Sequence, residues 1–304
     1  MALVESVPNV SEGRLLASID AAAAAMERAD GVRLLDRTSD PSHNRSVFTC
    51  AGAAARLPAA VRALFEAAVP RIDLRQHSGE HPRIGAVDVV PFVPLAGASM
   101  DDCVALARET GAAIAAEFGI PVFLYEEAAE RPERRRLEEI RRGGLDGLRA
   151  RMTSGEWKPD FGPSRPHVTA GATAIGARPP LIAFNVNLAT RNVEIAKAIA
   201  HRVRASSGGL PHVKALGVSL QHRRLAQVSM NLTNYDVTPV ERVFDAVAAA
   251  ARELGVDVLE SELIGLIPEA ALAGTTPEHL KLANFAADKI LENRLRAAGL
   301  IPPA

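Results

Sequence analysis

The residues best suited to chemistry lie in one short segment, residues 77–83, with the sequence HSGEHPR. His77 and His81 can both accept and release a proton near neutral pH, because an unperturbed imidazole titrates there. Gly79 and Pro82 prevent a helix, so the two histidines do not share a helix face as metal ligands of this spacing would. The pattern favours an acid/base loop over a metal centre, and an ordinary polar loop is the alternative.

A second polar cluster, DPSHNR at residues 40–45, comes directly before an apolar run. Asp-Pro and Ser-x-Asn combinations form turns, so a plain turn explains most of this segment. Arg45 differs, because a guanidinium at the start of a strand can hold a carboxylate through two hydrogen bonds. Arg45 is therefore a candidate anion-binding residue.

Polar side chains also follow one face of two apolar segments, residues 181–188 and 226–234. Alternate residues of a strand share a face, which places Asn185 and Asn187 together. Uncharged amides and hydroxyls both donate and accept hydrogen bonds. We expect these faces to line a ligand groove; a solvent-facing side of a sheet is the alternative. The second segment has four polar residues on one face: Gln227, Ser229, Asn231 and Thr233.

Several nucleotide-binding and acyl-transfer motifs are missing from the sequence. Residues 171–178, GATAIGAR, have spaced glycines but no Lys-Ser/Thr ending, so they are not a phosphate-binding P-loop. No Gly-x-Gly-x-x-Gly follows a strand, and no Gly-x-Ser-x-Gly or cysteine nucleophile motif occurs. These absences argue against nicotinamide, nucleoside triphosphate and covalent acyl chemistry.

Composition limits the class of protein and its partners. The chain has 304 residues, 48% hydrophobic and 23% charged, which is typical of a well-packed globular protein. With 35 basic and 36 acidic residues, no global attraction to nucleic acid or to an anionic membrane is expected. The N-terminus lacks a signal-peptide pattern, and no apolar run reaches about 20 residues. Cys50 and Cys103 are expected to be buried, reduced thiols of a cytoplasmic protein.

Hydrophobic periodicity predicts the elements that position these residues. The first half has strands at residues 2–7, 32–36, 45–51 and 86–93, a helix from Ser11 to near Gly31, and a helix over residues 57–69. The second half has strands at residues 181–188, 213–220, 226–231 and 258–266, with helices at residues 192–206 and from Thr238. Both halves follow the order β-α-β-β-α-β. We therefore predict an α/β (α+β) fold of two consecutive ferredoxin-like subdomains, residues 1–178 and 179–304, with mainly antiparallel sheets backed by helices.

The remaining segments give weaker predictions. Ser99 is expected to cap a helix with Asp102, and Thr238 to cap another. Residues 126–152 are crowded with Glu and Arg, which predicts a solvated helical surface with internal ion pairs. Residues 155–171 have no periodicity, and loops of that length are usually functional or disordered. Helices are also expected near Ala270 and from Thr276 onward.

Six uncommon motifs, in order along almost the whole chain, carry a resemblance to a known family. With them, the chain closely resembles the formiminotransferase family, the glutamate formimidoyltransferases of histidine breakdown. The motifs are VESVPNVSEGR (residues 4–14), HSGEHPRIGAVDVVPFVP (77–94), PVFLYEEAA (121–129), WKPDFGPS (157–164), GATAIGAR (171–178) and LIAFNVNL (181–188).

The resemblance implies transfer of a formimino group from N-formimino-L-glutamate to N5 of tetrahydrofolate, giving 5-formimino-tetrahydrofolate and glutamate. The family's catalytic histidine lies in its Glu-His-Pro-Arg motif, which corresponds here to His81. Tetrahydrofolate is then the co-substrate, no metal is needed, and a homodimer is expected. The chain ends at Ala304 without the cyclodeaminase domain that is fused to some relatives, so a separate protein is expected to process the product.

The resemblance also implies the residues that bind and position the substrates. Many relatives carry an acidic residue two positions after Asp36 that orients the histidine, where this chain has Thr38 with Asp40 nearby. Asp40 and Glu80 are therefore the candidate carboxylates beside the catalytic histidine. Arg45, Arg83 and Arg178 are candidates for gripping carboxylates of glutamate or of the folate tail. Gly208 matches a later folate contact. The folate-binding segment corresponds to Gly162, Pro163, Ser164, Arg165, Pro166, His167, Val168, Thr169, Ala170 and Gly171.

Three alternatives remain open at the level of sequence. The same fold could act on another one-carbon donor, such as formiminoglycine or 5-formyl-tetrahydrofolate. The chain could be a folate-binding or scaffolding protein without catalysis. A metal-dependent hydrolase built on His77, His81 and Asp88 is the third, and activity that survives a strong chelator would exclude it.

Overall fold

A computed structural model describes residues 2–80, 82–283 and 285–303. The chain folds as two compact units, Met1–Arg178 and Pro179–Ala304. Each unit has one sheet with helices packed against it, which confirms the predicted α/β class. Within the described residues, no helix combines the length and apolar character that crossing a bilayer requires.

The first unit is built around a seven-stranded sheet. Its strands are β1 (Leu3–Ser6), β2 (Asn9–Val10), β3 (Val32–Asp40), β4 (Arg45–Ala53), β5 (Val87–Pro94), β6 (Val122–Glu126) and β7 (Thr173–Ala177). Its helices are α1 (Leu16–Glu27), α2 (Leu57–Ala68), α3 (Met100–Phe118), α4 (Leu137–Ile140) and α5 (Gly144–Thr153), with 3-10 turns at Ala54–Arg56 and Pro132–Arg134.

The sheet of the first unit is a ferredoxin-like arrangement extended by two strands. β1 and β2 each pair antiparallel with β4 and β5, and β3 pairs antiparallel with β4. The register against β4 runs unbroken through both short strands, so they are one strand interrupted at Pro8, which has no N–H to donate. β7 lies between β5 and β6 and is parallel to both.

Both faces of this sheet are covered at β6. Val122 and Leu124 belong to the core beneath α1, α2 and α3, whereas Phe123 and Tyr125 pack with residues of α4 and α5 on the opposite face. This alternation follows from the two-residue period of a strand. The capping box predicted at Ser99 is confirmed, because its hydroxyl accepts from the Asp102 amide and the Asp102 side chain accepts from the Ser99 amide.

Three predictions for the first unit are wrong in detail. α1 begins at Leu16 rather than Ser11, because the Glu12 side chain accepts the amides of Arg14 and Leu15 and so shapes a loop there. The strand β7 was not expected within residues 171–178. The segment of residues 126–152 does form short helices with exposed ion pairs, such as Arg135 with Glu127 and Arg149 with Asp146, but it is not solvated throughout. Its buried residues are Arg134, Ile140, Leu148 and Met152.

The second unit has the elements β8 (Ile182–Leu188), α6 (Val193–Val203), β9 (Val213–Leu220), β10 (Leu225–Leu232), α7 (Val240–Glu253), β11 (Val258–Ile264) and α8 (Leu291–Ala297), with 3-10 turns at Ala205–Ser207, Glu269–Leu272 and Ala287–Lys289. The strands form an antiparallel sheet in the order β11-β8-β10-β9, which is the ferredoxin-like order for a β-α-β-β-α-β chain. α6 and α7 pack on one face of this sheet.

Two helix predictions for the second unit need correction. Thr238 does not cap α7, because its hydroxyl donates to the carbonyl of Pro211 at 2.6 Å, and the helix begins after Pro239 without a side-chain cap. No regular helix follows Thr276 until Leu291 within the described residues; a turn at Thr276 and a 3-10 turn occupy that region.

Candidate active site

Three loops meet at one end of the first unit's sheet. They comprise residues 11–15 after β2, residues 41–44 between β3 and β4, and residues 77–86 before β5. The Ser11 hydroxyl donates to the Gly85 carbonyl at 2.7 Å. Asn44 joins the other two loops, since its Oδ1 accepts the Gly13 amide at 2.9 Å and its Nδ2 donates to the Ser78 carbonyl at 3.0 Å. The polar clusters singled out in the sequence therefore lie side by side.

Asp40 shapes the middle loop. One oxygen of its carboxylate accepts the backbone amides of Ser42 at 2.7 Å and His43 at 2.9 Å, which makes an Asx turn. Asn44 then adopts a left-handed conformation with φ of 47°, which asparagine tolerates better than most residues. Asp40 stands opposite Arg45 in the β3–β4 register.

The predicted catalytic residue His81 lies outside the described residues, but its flanks are described. The Arg83 guanidinium donates to the carbonyls of Gly79 at 3.0 Å and His77 at 3.2 Å. These hydrogen bonds connect the two ends of residues 77–83. The Glu80 amide donates to the Ser42 carbonyl at 3.3 Å. A side chain at Gly79 would meet the carbonyl oxygen of His43 at 2.3 Å, so only glycine permits this approach. The loop that carries His81 is thus attached to the β3–β4 turn.

His77 is held in one tautomer. Its Nε2 lies 3.0 Å from the Asn44 carbonyl, which can only accept, so Nε2 carries the proton. Its Nδ1 is buried with no hydrogen-bond partner among the described residues. Burial of the imidazole, and next the charge of Arg83, lower the pKa of His77 below its ordinary value of 6.5. His77 is therefore neutral at physiological pH.

We expect His77→Gln to reduce the acid sensitivity of folding. The folded state resists protonation of His77, so the unfolded state takes up the proton first and wild-type stability falls as the pH drops through about 6.5. Glutamine keeps an N–H for the Asn44 carbonyl but does not titrate. Urea unfolding at pH 7.5 and pH 5 should show a smaller loss for the variant, and equal losses in both proteins would contradict this assignment.

The predicted folate-binding segment lies directly against the histidine loop. The Thr169 carbonyl accepts the Leu74 amide, and the Ala170 carbonyl accepts the Ala86 amide, each at 2.9 Å. His167 closes a tight turn, because its Nδ1 accepts the Ala170 amide at 3.0 Å. Within the segment, the exposed residues are Gly162, Pro163, Ser164, Arg165 and Val168. The structure therefore brings the two predicted segments together.

Asp88 is the main residue beside these loops that the sequence did not single out beyond the metal alternative. One oxygen accepts the amides of Ile84 at 2.7 Å and Gly85 at 3.3 Å, and the other pairs with Arg141. Both oxygens are therefore engaged in holding backbone and a guanidinium, which does not favour a metal ligand. A polar residue inside the apolar run of residues 84–93 was the available signal.

The three candidate arginines have different environments. Arg83 donates to its own loop, as described above. The Arg178 guanidinium hydrogen-bonds to Tyr125. Burial raises the pKa of Tyr125 to about 12, and the hydrogen bond from Arg178 acts in the opposite direction. The Arg45 guanidinium makes no hydrogen bond to any residue in the described part of the chain. Burial, followed by the charge of Arg141, lowers its pKa to about 10, so it remains charged at neutral pH.

The polar face of the second unit's sheet is confirmed, but it is not uncharged. Asn185 and Asn187 stand opposite Ser229 and Gln227 on the face away from α6 and α7. β11 adds two carboxylates beside them, Glu260 next to Asn187 and Glu262 next to Asn185. The sequence did not reveal this, because the pairing of β11 with β8 joins residues about 75 positions apart.

Asn231 and Gly208 lie apart from the buried part of that face. Asn231 is exposed and stands opposite Lys214 near the end of β10. Gly208 has φ of 84° and follows the 3-10 turn after α6, where it borders a groove of about 410 Å³ between α6 and α7. The second unit thus does not gather its four predicted residues in one place.

One exposed group of side chains has the composition of a metal site. Among the described residues, three side chains offer ligand atoms within 4.8 Å of one another: Glu241, Asp245 and His279. His279 Nε2 lies 3.0 Å from Asp245 and 3.8 Å from Glu241. Hydrogen bonding of the His279 ring to Asp245, with Glu241 beside it on the surface, accounts for this arrangement without a metal ion.

Comparison with known proteins settles the family. Residues 3–178 match the family model for the formiminotransferase domain, N-terminal subdomain, and residues 183–289 match that for the formiminotransferase domain. The chain belongs to the formiminotransferase family. The resemblance inferred from the six motifs is confirmed.

The relatives include stand-alone and fused members of this family. A glutamate formimidoyltransferase of Streptococcus pyogenes serotype M1 is 45% identical over 294 residues, 96% of this chain and 98% of that protein. One of Thermoplasma acidophilum is 46% identical over 300 residues, 98% and 99% of the two chains. The formimidoyltransferase-cyclodeaminase of Rattus norvegicus is 42% identical over 276 residues, 89% of this chain but 51% of that protein.

Proposed function

We propose that the chain transfers the formimino group of N-formimino-L-glutamate to N5 of tetrahydrofolate, yielding 5-formimino-tetrahydrofolate and L-glutamate. The observation that carries this proposal is the similarity to two glutamate formimidoyltransferases, at 45% and 46% identity over almost the full length of each chain. The meeting of the three loops with the folate-binding segment supports it. Tetrahydrofolate is a co-substrate here.

The proposed chemistry is a single proton shuttle. N5 of the folate attacks the formimino carbon and gives a tetrahedral intermediate. His81 accepts the proton from N5 and then donates a proton to the departing glutamate nitrogen, which restores the imidazole for the next cycle. Holding both substrates together contributes further, because it replaces a bimolecular collision by a local event. None of these steps requires a metal ion.

The neighbouring residues have distinct proposed roles. Asp40 shapes the turn that supports the histidine loop, and Glu80 borders His81 on that loop. Arg83 fixes the loop backbone rather than gripping a substrate, since two carbonyls already accept its hydrogen bonds. Arg45 is the strongest candidate for holding a substrate carboxylate, because its guanidinium is charged and makes no hydrogen bond to a described residue, although the charges of Asp88 and Asp40 act on it. Arg178 is engaged with Tyr125.

The remaining proposed ligand contacts are those of the folate. In the first unit these are residues 162–171, with exposed backbone and the His167 side chain. For the second unit, Gly208 and the polar face with Asn185, Asn187 and Asn231 are candidate contacts in their own right. We further propose a cytoplasmic homodimer in histidine degradation and one-carbon metabolism. A separate cyclodeaminase would then release ammonia from the product, the activity that the name of the rat relative includes.

A direct assay of the purified chain tests this function. With tetrahydrofolate present, we expect formiminoglutamate to be consumed and 5-formimino-tetrahydrofolate to form, followed by absorbance. Formiminoglycine and 5-formyl-tetrahydrofolate are offered separately as donors, and faster turnover of either would reassign the substrate. Tight folate binding without turnover of any donor would support a non-catalytic folate-binding protein instead.

A further inference from the structure

A chain of hydrogen bonds crosses the polar face of the second unit's sheet. The Asn187 amide nitrogen donates to Glu260 at 2.9 Å, and its oxygen accepts from Gln227 at 2.8 Å. The same Gln227 nitrogen donates to Glu262 at 2.7 Å, and Asn185 donates to that carboxylate at 3.4 Å. Because a carboxylate only accepts, the two glutamates fix the orientation of all three amides.

The two glutamates in this chain differ in their partners. Glu260 pairs with Arg223 at 2.6 Å, and its side chain is 26% exposed. Burial raises the pKa of Glu260, but the hydrogen bonds from Arg223 and Asn187 outweigh it, so the net pKa lies below its usual range. Glu262 is half-buried and has no cation within 4.0 Å among the described residues. Its Oε2 likewise has no donor within that part of the chain, so one acceptor of an oriented carboxylate is unused.

Gln227 gives a second, independent sign of an incomplete site. Its side chain is fully buried, and its oxygen has no hydrogen-bond donor among the described residues. Buried polar atoms are almost always paired, since leaving one unpaired costs stability. This oxygen belongs to the amide whose nitrogen contacts Glu262, so the two unused acceptors are neighbours. The arrangement offers two unused acceptors, one of them on a negatively charged carboxylate.

We propose that Glu262, oriented by Gln227 and Asn185, binds an amidine-type group, that is, two N–H donors on one planar carbon, on a substrate of this enzyme. Such a group complements a carboxylate, with parallel charge-assisted hydrogen bonds. The inference rests on the proposed function, because both proposed substrates contain this chemistry. Tetrahydrofolate has it in the 2-amino and N3–H edge of its pterin, and formiminoglutamate has it in the formimino group.

The decisive variant is Glu262→Gln, assayed on the full chain. Glutamine is isosteric, and its oxygen still accepts from Gln227 and Asn185, whereas an NH₂ group replaces the unused Oε2. Glu194→Gln is the control, because Glu194 lies in the first turn of α6, is exposed, and has Lys197 as its partner at 2.8 Å. Calorimetric titrations with tetrahydrofolate and with formiminoglutamate are run separately, and thermal unfolding of each variant verifies folding.

We expect Glu262→Gln to weaken binding of one substrate by about tenfold or more, as expected for loss of a hydrogen bond to a charged group. Glu194→Gln should change neither affinity by more than about twofold. If only tetrahydrofolate binds more weakly, the group bound by Glu262 is the pterin edge. If only formiminoglutamate binds more weakly, the group bound by Glu262 is the formimino group. Glu262→Asp keeps the charge but shortens the side chain by one methylene, so it should weaken binding of the same substrate. This variant serves as the test if Glu262→Gln is unstable.

Unchanged binding of both substrates by folded Glu262 variants would overturn the inference. If wild-type protein also transfers the formimino group normally, the proposed function stands and only the role of Glu262 is lost. If wild-type protein binds neither substrate and shows no transfer, the proposed function itself fails, and this role of Glu262 fails with it.

Discussion

The His81→Ala variant is expected to fold normally and to transfer the formimino group about 100- to 10,000-fold more slowly than wild type. The shuttle has one imidazole handling both proton transfers, so its removal leaves the attacking and departing nitrogens without an acid or base. The remaining rate would come from holding the two substrates together. Initial rates at saturating concentrations of both substrates measure the loss in kcat.

The matched control for His81 is His222→Ala. His222 is exposed in the turn between β9 and β10 of the second unit, so its replacement should leave the rate within about twofold. Added imidazole should restore part of the activity of His81→Ala and none of any deficit in the control. Near-normal turnover by His81→Ala would remove this residue from its proposed role.

The second large effect is on stability, at Arg134. Its guanidinium is 1% exposed and pairs at 2.7 Å with Asp160, which is 4% exposed. It also lies over the rings of Phe123 at 5.2 Å and Trp157 at 5.6 Å. Arg134→Ala leaves the Asp160 charge buried without its partner, so we expect the free energy of unfolding to fall by about 3–5 kcal/mol.

A surface ion pair of the same length provides the comparison. Arg108 and Glu130 also lie 2.7 Å apart, but both side chains are about half exposed. Arg108→Ala should cost no more than about 1 kcal/mol, because water and salt screen exposed pairs. Trp157 is the single tryptophan and is buried beside Arg134, so its fluorescence follows unfolding of the first unit in urea. Equal losses in the two variants would show that burial does not set the strength of the Arg134 pair.

The second unit was the easier fold to predict because its local signals agree. α7 is the helix expected from Thr238, and its apolar residues Val240, Val243, Val247 and Ala251 are buried along one stripe. The strand β10 before it alternates cleanly between apolar and polar residues. Local pattern and global fold point to the same arrangement, which is the condition under which a sequence alone is informative.

The first unit shows where local patterns are insufficient. β7 has the sequence TAIGA and is buried on both faces, with Ala174 in one core and Ile175 in the other. Small residues and glycine give no alternation, so a fully buried parallel strand resembles a loop. Gly176 is needed because a side chain there would meet the Tyr125 carbonyl at 2.3 Å. That contact is invisible without the neighbouring strand.

Charged residues were misjudged for a related reason. Arg134 was assigned to a solvated surface because charge runs usually are, but its partner Asp160 is 26 positions away and makes burial possible. Glu260 and Glu262 join the asparagines only through the pairing of β11 with β8. Motifs in the sequence therefore predicted residues such as those of the histidine loop. They did not predict residues such as Glu260 and Glu262, which join their neighbours only through long-range strand pairing.

Asp88 connects the end of the histidine loop to the segment between α4 and α5. One oxygen holds the amides of Ile84 and Gly85 at the end of the histidine loop, and the other holds Arg141, 53 positions further along the chain. Any displacement of the segment between α4 and α5 is therefore transmitted to the backbone that follows the loop. The histidine loop is therefore made more rigid by a segment that does not itself have to contact a substrate.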